Sequence, residues 1–314
     1  MKRPSLFPEI DQVYSVPPRR LAESPLRGAL WMTGAQVLFA VMALAARLGG
    51  TAKIPWQEVA ASRFLIGALT AFVVARIRGS KLTVRNQHAQ WVRSAFGTAT
   101  AAGTFYLLAS PLMSLGDAVT LFAIAPIFVA LLSWPLLGER VSPSVAVAIV
   151  VSLAGVLTVA HPTLNSAPRL VALGVLTAFL SANAMIWLRK MGPDESSTAV
   201  VFQFSVLGAL VMVLLSIPVW TTPDLKSGIA LVVTGVAGGS AQILMTRAYG
   251  FDRAARVSAM GYSGIVLTRI FALPVLGEFP TWAQAGGSLL VMASGVILAL
   301  RGRGRQLAEP PRKA

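Results

Sequence analysis

Cysteine is absent from this chain, which excludes disulfides, thiolate metal sites and cysteine nucleophiles. Histidine occurs only as His88 and His161. Both fall in predicted loops, and neither has a second ligand at metal-binding spacing. No G-x-x-x-x-G-K-[ST] loop is present, so nucleotide hydrolysis by that route is excluded. No cofactor or metal is expected. Charge is scarce as well: 12% of the 314 residues are charged, about half of the ~25% usual in soluble domains. With 55% hydrophobic residues and a mean hydropathy of +0.69, a water-soluble fold would lack the polar groups to cover its surface.

Long apolar runs are what the sequence has instead. Ten stretches approach the ~20 residues that a helix needs to cross a bilayer. They cover roughly 28–48, 56–77, 94–113, 116–137, 143–160, 170–188, 198–219, 227–247, 256–276 and 282–300. Backbone polar groups in lipid must be satisfied internally, so such runs become helices. The expected fold is all-α and integral to the membrane, with ten transmembrane helices. Residues 1–27 hold five prolines and mixed charges and read as an irregular tail. No small-residue cleavage site follows the first apolar run, so the first helix is expected to be an uncleaved anchor. Residues 301–314 form a basic tail.

The net charge of +15 raises the question of a polyanion partner. Basic residues do not form a stripe with interleaved aromatics, so nucleic acid is not expected. They follow the membrane instead. Arg47, Lys53, Arg169 and Lys226 fall on one face, Arg63 and Arg269 lie inside helices, and all other Lys and Arg fall on the opposite face. This asymmetry predicts a cytoplasmic (inner) membrane location with both termini cytoplasmic. It accounts for the basic charge without a nucleic-acid ligand.

The chain also repeats itself. Pro135-Leu136-Leu137-Gly138-Glu139 returns as Pro274-Val275-Leu276-Gly277-Glu278, 139 residues later. Val151, Gly155 and Val156 return as Val291, Gly295 and Val296, and Gly67-Ala68-Leu69 as Gly208-Ala209-Leu210. Residues 28–160 (helices 1–5) and 168–300 (helices 6–10) therefore read as two copies of one unit. Five spans per copy is odd, so the second copy enters from the other side. The result is a 5+5 inverted repeat around a central cavity, a common transporter design.

At these residues the chain resembles the drug/metabolite transporter superfamily, in its EamA-type branch. The resemblance is carried by Phe105-Tyr106-Leu107-Leu108-Ala109, Gly116-Asp117-Ala118, the run Pro126 to Leu132, and Leu137-Gly138-Glu139-Arg140. Glu58-Val59 and Arg63 add to it. It spans about residues 28–300. It implies a ten-helix carrier in which helices 3, 4, 8 and 9 border the cavity, together with parts of 1, 2, 6 and 7. Helices 5 and 10 would be peripheral. The second copy departs from the family pattern at Ile265 and Arg269.

Ionisable groups inside a membrane cost about 2.5–3.5 kcal/mol each on insertion scales, so they are functional candidates. Arg63 and Arg269 each lie about seven residues from the outer end of a helix, roughly 10 Å deep at 1.5 Å per residue. Two guanidinium groups at one depth suit a carboxylate or phosphate. The competing reading pairs Arg63 with Glu58 or Asp117. Further substrate-binding candidates are Tyr106, Gln203, Tyr262, Trp187 and Asn183, with Gln36 and Gln242 as additional polar groups. Each competes with plain interhelical hydrogen bonding. Pro126, expected mid-helix, with Gly261 and Gly264, reads as a hinge. Glu139 and Glu278 sit at helix ends and read as gating or structural residues, as do Glu58 and Asp117.

The function expected is secondary transport, export or exchange, of a small polar or amphipathic metabolite. An anionic or zwitterionic solute such as an amino acid is favoured. The partners implied are that solute and the lipid bilayer, with the oligomeric state open. The alternatives are an intramembrane enzyme, for which paired carboxylates or a metal site are missing from the helices, or a non-transporting membrane scaffold.

Overall fold

The computed structural model of the protein describes residues 24–48, 54–112, 118, 121–160, 167–276, 281–283, 285–294 and 297. Among these residues the fold is all-α. Helix α1 spans Pro25–Leu48, α2 Trp56–Ile77, α3 Gln87–Ala109, α4 Ala125–Leu137 and α5 Pro143–Ala160. Helix α6 spans Pro168–Met191, α7 Ser197–Ser216, α8 Leu225–Phe251, α9 Ala254–Met260 and α10 Ser263–Leu276. Helix α11 covers Ala285–Ser294. Stretches in α1, α2, α6, α7 and α8 are long and apolar enough to cross a membrane.

The helices are built for lipid outside and close contact inside. On α2, Leu65, Leu69, Val73 and Ile77 recur every four residues and are exposed, whereas Ala60, Ala61, Phe64, Gly67, Ala71 and Ala75 are buried. A soluble protein shows the reverse pattern. Small residues let the backbones approach in a medium that supplies no hydrophobic drive between helices. A methyl group on Gly239 would stand 2.9 Å from Gly67 Cα, and one on Gly155 only 2.6 Å from the Gly287 carbonyl oxygen. Glycine is therefore required where α8 meets α2 and where α5 meets α11.

Polar caps fix the helix starts. Asn86 Oδ1 accepts from Ala89 N at 3.0 Å, and Asp224 Oδ1 from Ser227 N at 2.8 Å. Gly138, with φ +67°, ends α4 in the left-handed conformation that glycine adopts without cost.

The packing partners are specific. Helix α1 lies on α8, α3 on α6, and α2 on α7; α2 also touches α8, α3 touches α7, α4 touches α6, and α10 touches α1.

Two expectations are corrected. Pro126 is not mid-helix. The chain turns at Ala123-Ile124 and α4 starts at Ala125, so Pro126 occupies the first turn, where its missing N–H is no loss. His88 lies in the first turn of α3, not in a loop. The predicted ninth span is interrupted as well, by a turn at Gly261-Tyr262 between α9 and α10.

Candidate functional site

Arg63 leaves α2 towards α8. A methyl group on Gly238 would come within 3.3 Å of Arg63 Nε and 2.8 Å of Met42 Sδ, so the missing side chain makes the room that the guanidinium uses. Arg63 is half-buried. Its Cζ lies 5.2 Å from the Phe64 ring centre. Phe64 meets Phe204 of α7 edge-on at 5.2 Å. Arg93 of α3 stacks on the Phe204 ring with its Cζ at 3.8 Å from the centre. Four side chains thus alternate as cation, ring, ring, cation. Their backbones are set close by Gly97, whose methyl would stand 2.8 Å from Phe204, and by Gly208 against Phe64.

Arg93 is the residue that the sequence reading missed. It was counted with the basic residues of the cytoplasmic face, yet it is only 2% exposed. Its Nε and Nη1 are buried with no hydrogen-bond partner. A buried charge without a counter-ion costs several kcal/mol, and a desolvated cation–π contact returns about 2 kcal/mol. The one legible signal was its place in α3, two turns after the Asn86 cap.

The carboxylate considered as a partner for Arg63 is engaged elsewhere through one oxygen, while its Oε1 is buried without a hydrogen-bond partner. Glu58 is buried, and its Oε2 accepts from Thr221 N at 3.0 Å and from Thr221 Oγ1 at 2.8 Å. It ties the start of α2 to the segment after α7. Asp117 and Glu278 lie outside the described residues. The backbone of Arg269 belongs to α10, while its side chain lies outside them. The structure links Arg63 to Arg93 through the Phe64–Phe204 pair.

The other candidates are dispersed. Tyr262 is buried at the turn between α9 and α10, and its hydroxyl donates to the Ala123 carbonyl at 2.8 Å. Asn183 Nδ2 donates to Phe179 O in its own helix at 3.0 Å. Gln203 Nε2 donates to Leu82 O at 3.2 Å, and its Oε1 is buried without a partner. Trp187 is half-buried, edge-on to His88 and under Lys190 Nζ at 4.5 Å. Tyr106 is exposed, edge-on to Trp56. Gly264 stands against Gln36, which fills the room that a larger side chain would need.

Glu139 sits at a second charged cluster. It accepts from Arg189 Nε at 2.8 Å and from Ala254 N at 3.0 Å. Arg189 Nη1 donates to the Tyr249 and Gly250 carbonyls. One carboxylate and one guanidinium therefore clasp the ends of α4, α6 and α8 to the start of α9.

A cavity of about 410 Å³ opens where the connections after α2 and α6 meet α8. Trp31, Arg78, Glu195, Thr198, Val200 and Arg247 are among its walls. Glu195 also holds the start of α3, accepting from Arg85 N and Asn86 N. Gln90 Nε2 donates to the Val200 carbonyl at 2.9 Å, and Arg93 follows one helical turn further into the bundle.

Residues 26–160 match the model of the EamA-like transporter family. The first half of the chain thus carries an EamA-like transporter family domain, and its relatives are named as transporters of the drug/metabolite transporter superfamily. It is 27% identical over 256 residues to the pseudopaline exporter CntI of Pseudomonas aeruginosa (strain UCBPP-PA14), covering 81% of this chain and 89% of that one. It is 28% identical to human solute carrier family 35 member G1 over 60% of this chain and 56% of the relative. It is 23% identical to a riboflavin transporter of Vibrio cholerae over 86% and 92%. A crystal structure superposes with a TM-score of 0.72 at 23% identity, over 88% of this chain and 98% of the other, which shows a shared fold. The chain is thus a multi-pass membrane protein whose relatives are named as metabolite transporters. Family and relatives point to transport rather than to an enzyme.

Proposed function

We propose that this chain is a secondary carrier, an exporter or exchanger, of a small polar or amphipathic metabolite with anionic or zwitterionic character. It works by alternating access in ten spans arranged as a 5+5 inverted repeat. The observation that carries the reading is the hydrogen bond between Tyr262 and Ala123. These residues are 139 apart, the offset that relates the two Pro-x-Leu-Gly-Glu strings. Each lies at the interruption of its span, so equivalent breaks of the two copies touch. The helix pairings support the same reading. Exchanging spans 1 and 6, 2 and 7, 3 and 8, and 4 and 9 turns α1–α8 into α3–α6, α2–α8 into α3–α7, and α4–α6 into α10–α1. Two pseudo-equivalent halves of this kind rock around a site between them.

In this reading the cavity beside Arg78 and Arg247 opens to the cytoplasm, because it lies on the face rich in Lys and Arg. The pairing of Glu139 with Arg189 closes part of that same end.

Proteoliposomes of the purified chain, tested for counterflow with radiolabelled amino acids and other small acids, check the proposal. Saturable exchange of at least one is expected. Its lack for every solute, with correct insertion, removes the carrier reading. Single cysteines at Ser5 and Ala314 are clean probes, since the chain has none of its own. Both are expected to react with a membrane-impermeant maleimide from the cytoplasmic side.

A further inference from the structure

We infer that Arg93 and Arg63 together hold the anionic end of the carried solute, and that this solute is an organic dianion. The inference rests on the carrier reading and narrows it. Arg93 is 2% exposed, with two N–H-bearing nitrogens that meet no acceptor. Burying such donors empty is costly, and satisfied donors are the rule in folded proteins. Phe204 covers one face of the guanidinium at 3.8 Å and leaves the in-plane N–H groups to be filled from the side. Arg63 adds a second positive charge at the other end of the Phe64–Phe204 pair. Among the described residues neither arginine has an ion pair, and Glu58 is bound to Thr221.

Two like charges with no acid between them select the ligand by charge. A zwitterion would bring an ammonium into this field, and a cation more so; like-charge juxtaposition disfavours both. A carboxylate or phosphate satisfies the donors directly, and guanidinium groups suit either by their planar geometry. Access follows from the fold. Val200 lines the cavity and carries the Gln90 contact, Phe204 lies one turn beyond Val200 on α7, and Arg93 lies one turn beyond Gln90 on α3. The empty donors therefore sit just past the cavity floor.

The test uses the full-length chain purified in detergent, its unfolding temperature followed against added solute at matched ionic strength. The probes are succinate as a dicarboxylate and phenyl phosphate as a phosphomonoester, with glutamate, putrescine and sodium chloride as comparisons. A saturable rise in unfolding temperature is expected with at least one dianion, since a specific binder stabilises the folded state. Which of the two acts at lower concentration tells carboxylate from phosphate. Arg93→Gln is expected to raise the half-saturating concentration about tenfold or more, and Arg93→Lys to recover part of it. Equal half-saturation in the wild type and Arg93→Gln overturns the inference. So does stabilisation by putrescine or glutamate at lower concentration than by either dianion, or none by the dianions. Should Arg93→Gln not fold, Arg63→Gln carries the same comparison from the other end of the ring pair. Liposome exchange of a neutral or cationic solute, without dianion binding, leaves the carrier reading standing and removes this one.

Discussion

Arg93 and Arg189 are equally buried, each 2% exposed, and their surroundings are opposite. Arg189 has a carboxylate at 2.8 Å and two backbone carbonyls, all at the ends of helices. Arg93 has an aromatic ring, with a second cation beyond the next ring. The first arrangement spends the Nε and Nη1 donors on the protein and holds helix ends together. The second leaves donors empty inside the bundle. A buried charge that the fold satisfies holds helices together, whereas Arg93 keeps donors that the described residues do not fill.

The strongest way to break this comparison is Glu139→Leu. It strands the Arg189 charge and frees the Ala254 amide, so a loss of about 3–5 kcal/mol is expected, seen as a lower unfolding temperature in detergent. The double variant Glu139→Leu with Arg189→Met is expected to recover most of it, which would separate pairing from packing. Arg93→Met should act with the opposite sign. Removing an unpaired buried charge while keeping the volume is expected to stabilise by about 1–3 kcal/mol, less the lost ring contact, and to remove dianion binding. A destabilised Arg93→Met protein would place Arg93 with Arg189 as a structural residue. Tyr262→Phe leaves the Ala123 carbonyl without its donor, at a cost of about 1–2 kcal/mol. If the two breaks move against each other during transport, exchange rate changes more than stability. The smallest effect is expected for Thr221→Ala, about 1 kcal/mol, because Glu58 keeps the backbone N–H when the hydroxyl is lost. Thermal unfolding of each variant, set beside its exchange rate, gives the ordering.

Much of the molecule was legible beforehand. The apolar runs located the helices, and the glycines at 67, 97, 155, 208 and 239 stand where helices come closest. The string ending at Glu139 marked a residue that turned out to clasp three helices. The site was less legible. Hydropathy began the third span at Ser94 and left Arg93 outside it, because a lone arginine at a span edge resembles a positive-inside residue. Nothing local reveals that Phe204, over a hundred residues away, supplies the ring. Pairing Arg63 with Glu58 was reasonable by proximity in sequence, but five residues apart on a helix is a poor pair, and Thr221 competes successfully. Pro126 was read as a break because proline disrupts helix interiors, while the chain turns just before it.

Sequence alone determined that this chain lives in lipid, since apolar length and scarce charge leave no soluble alternative. It also suggested a repeat, since near-identical strings at closely similar offsets need no coordinates. Only the tertiary structure decided which charges are spent and which are free. That depends on whether an acceptor from another helix arrives within about 3 Å, and such encounters are fixed by how the helices cross, not by any window of the chain.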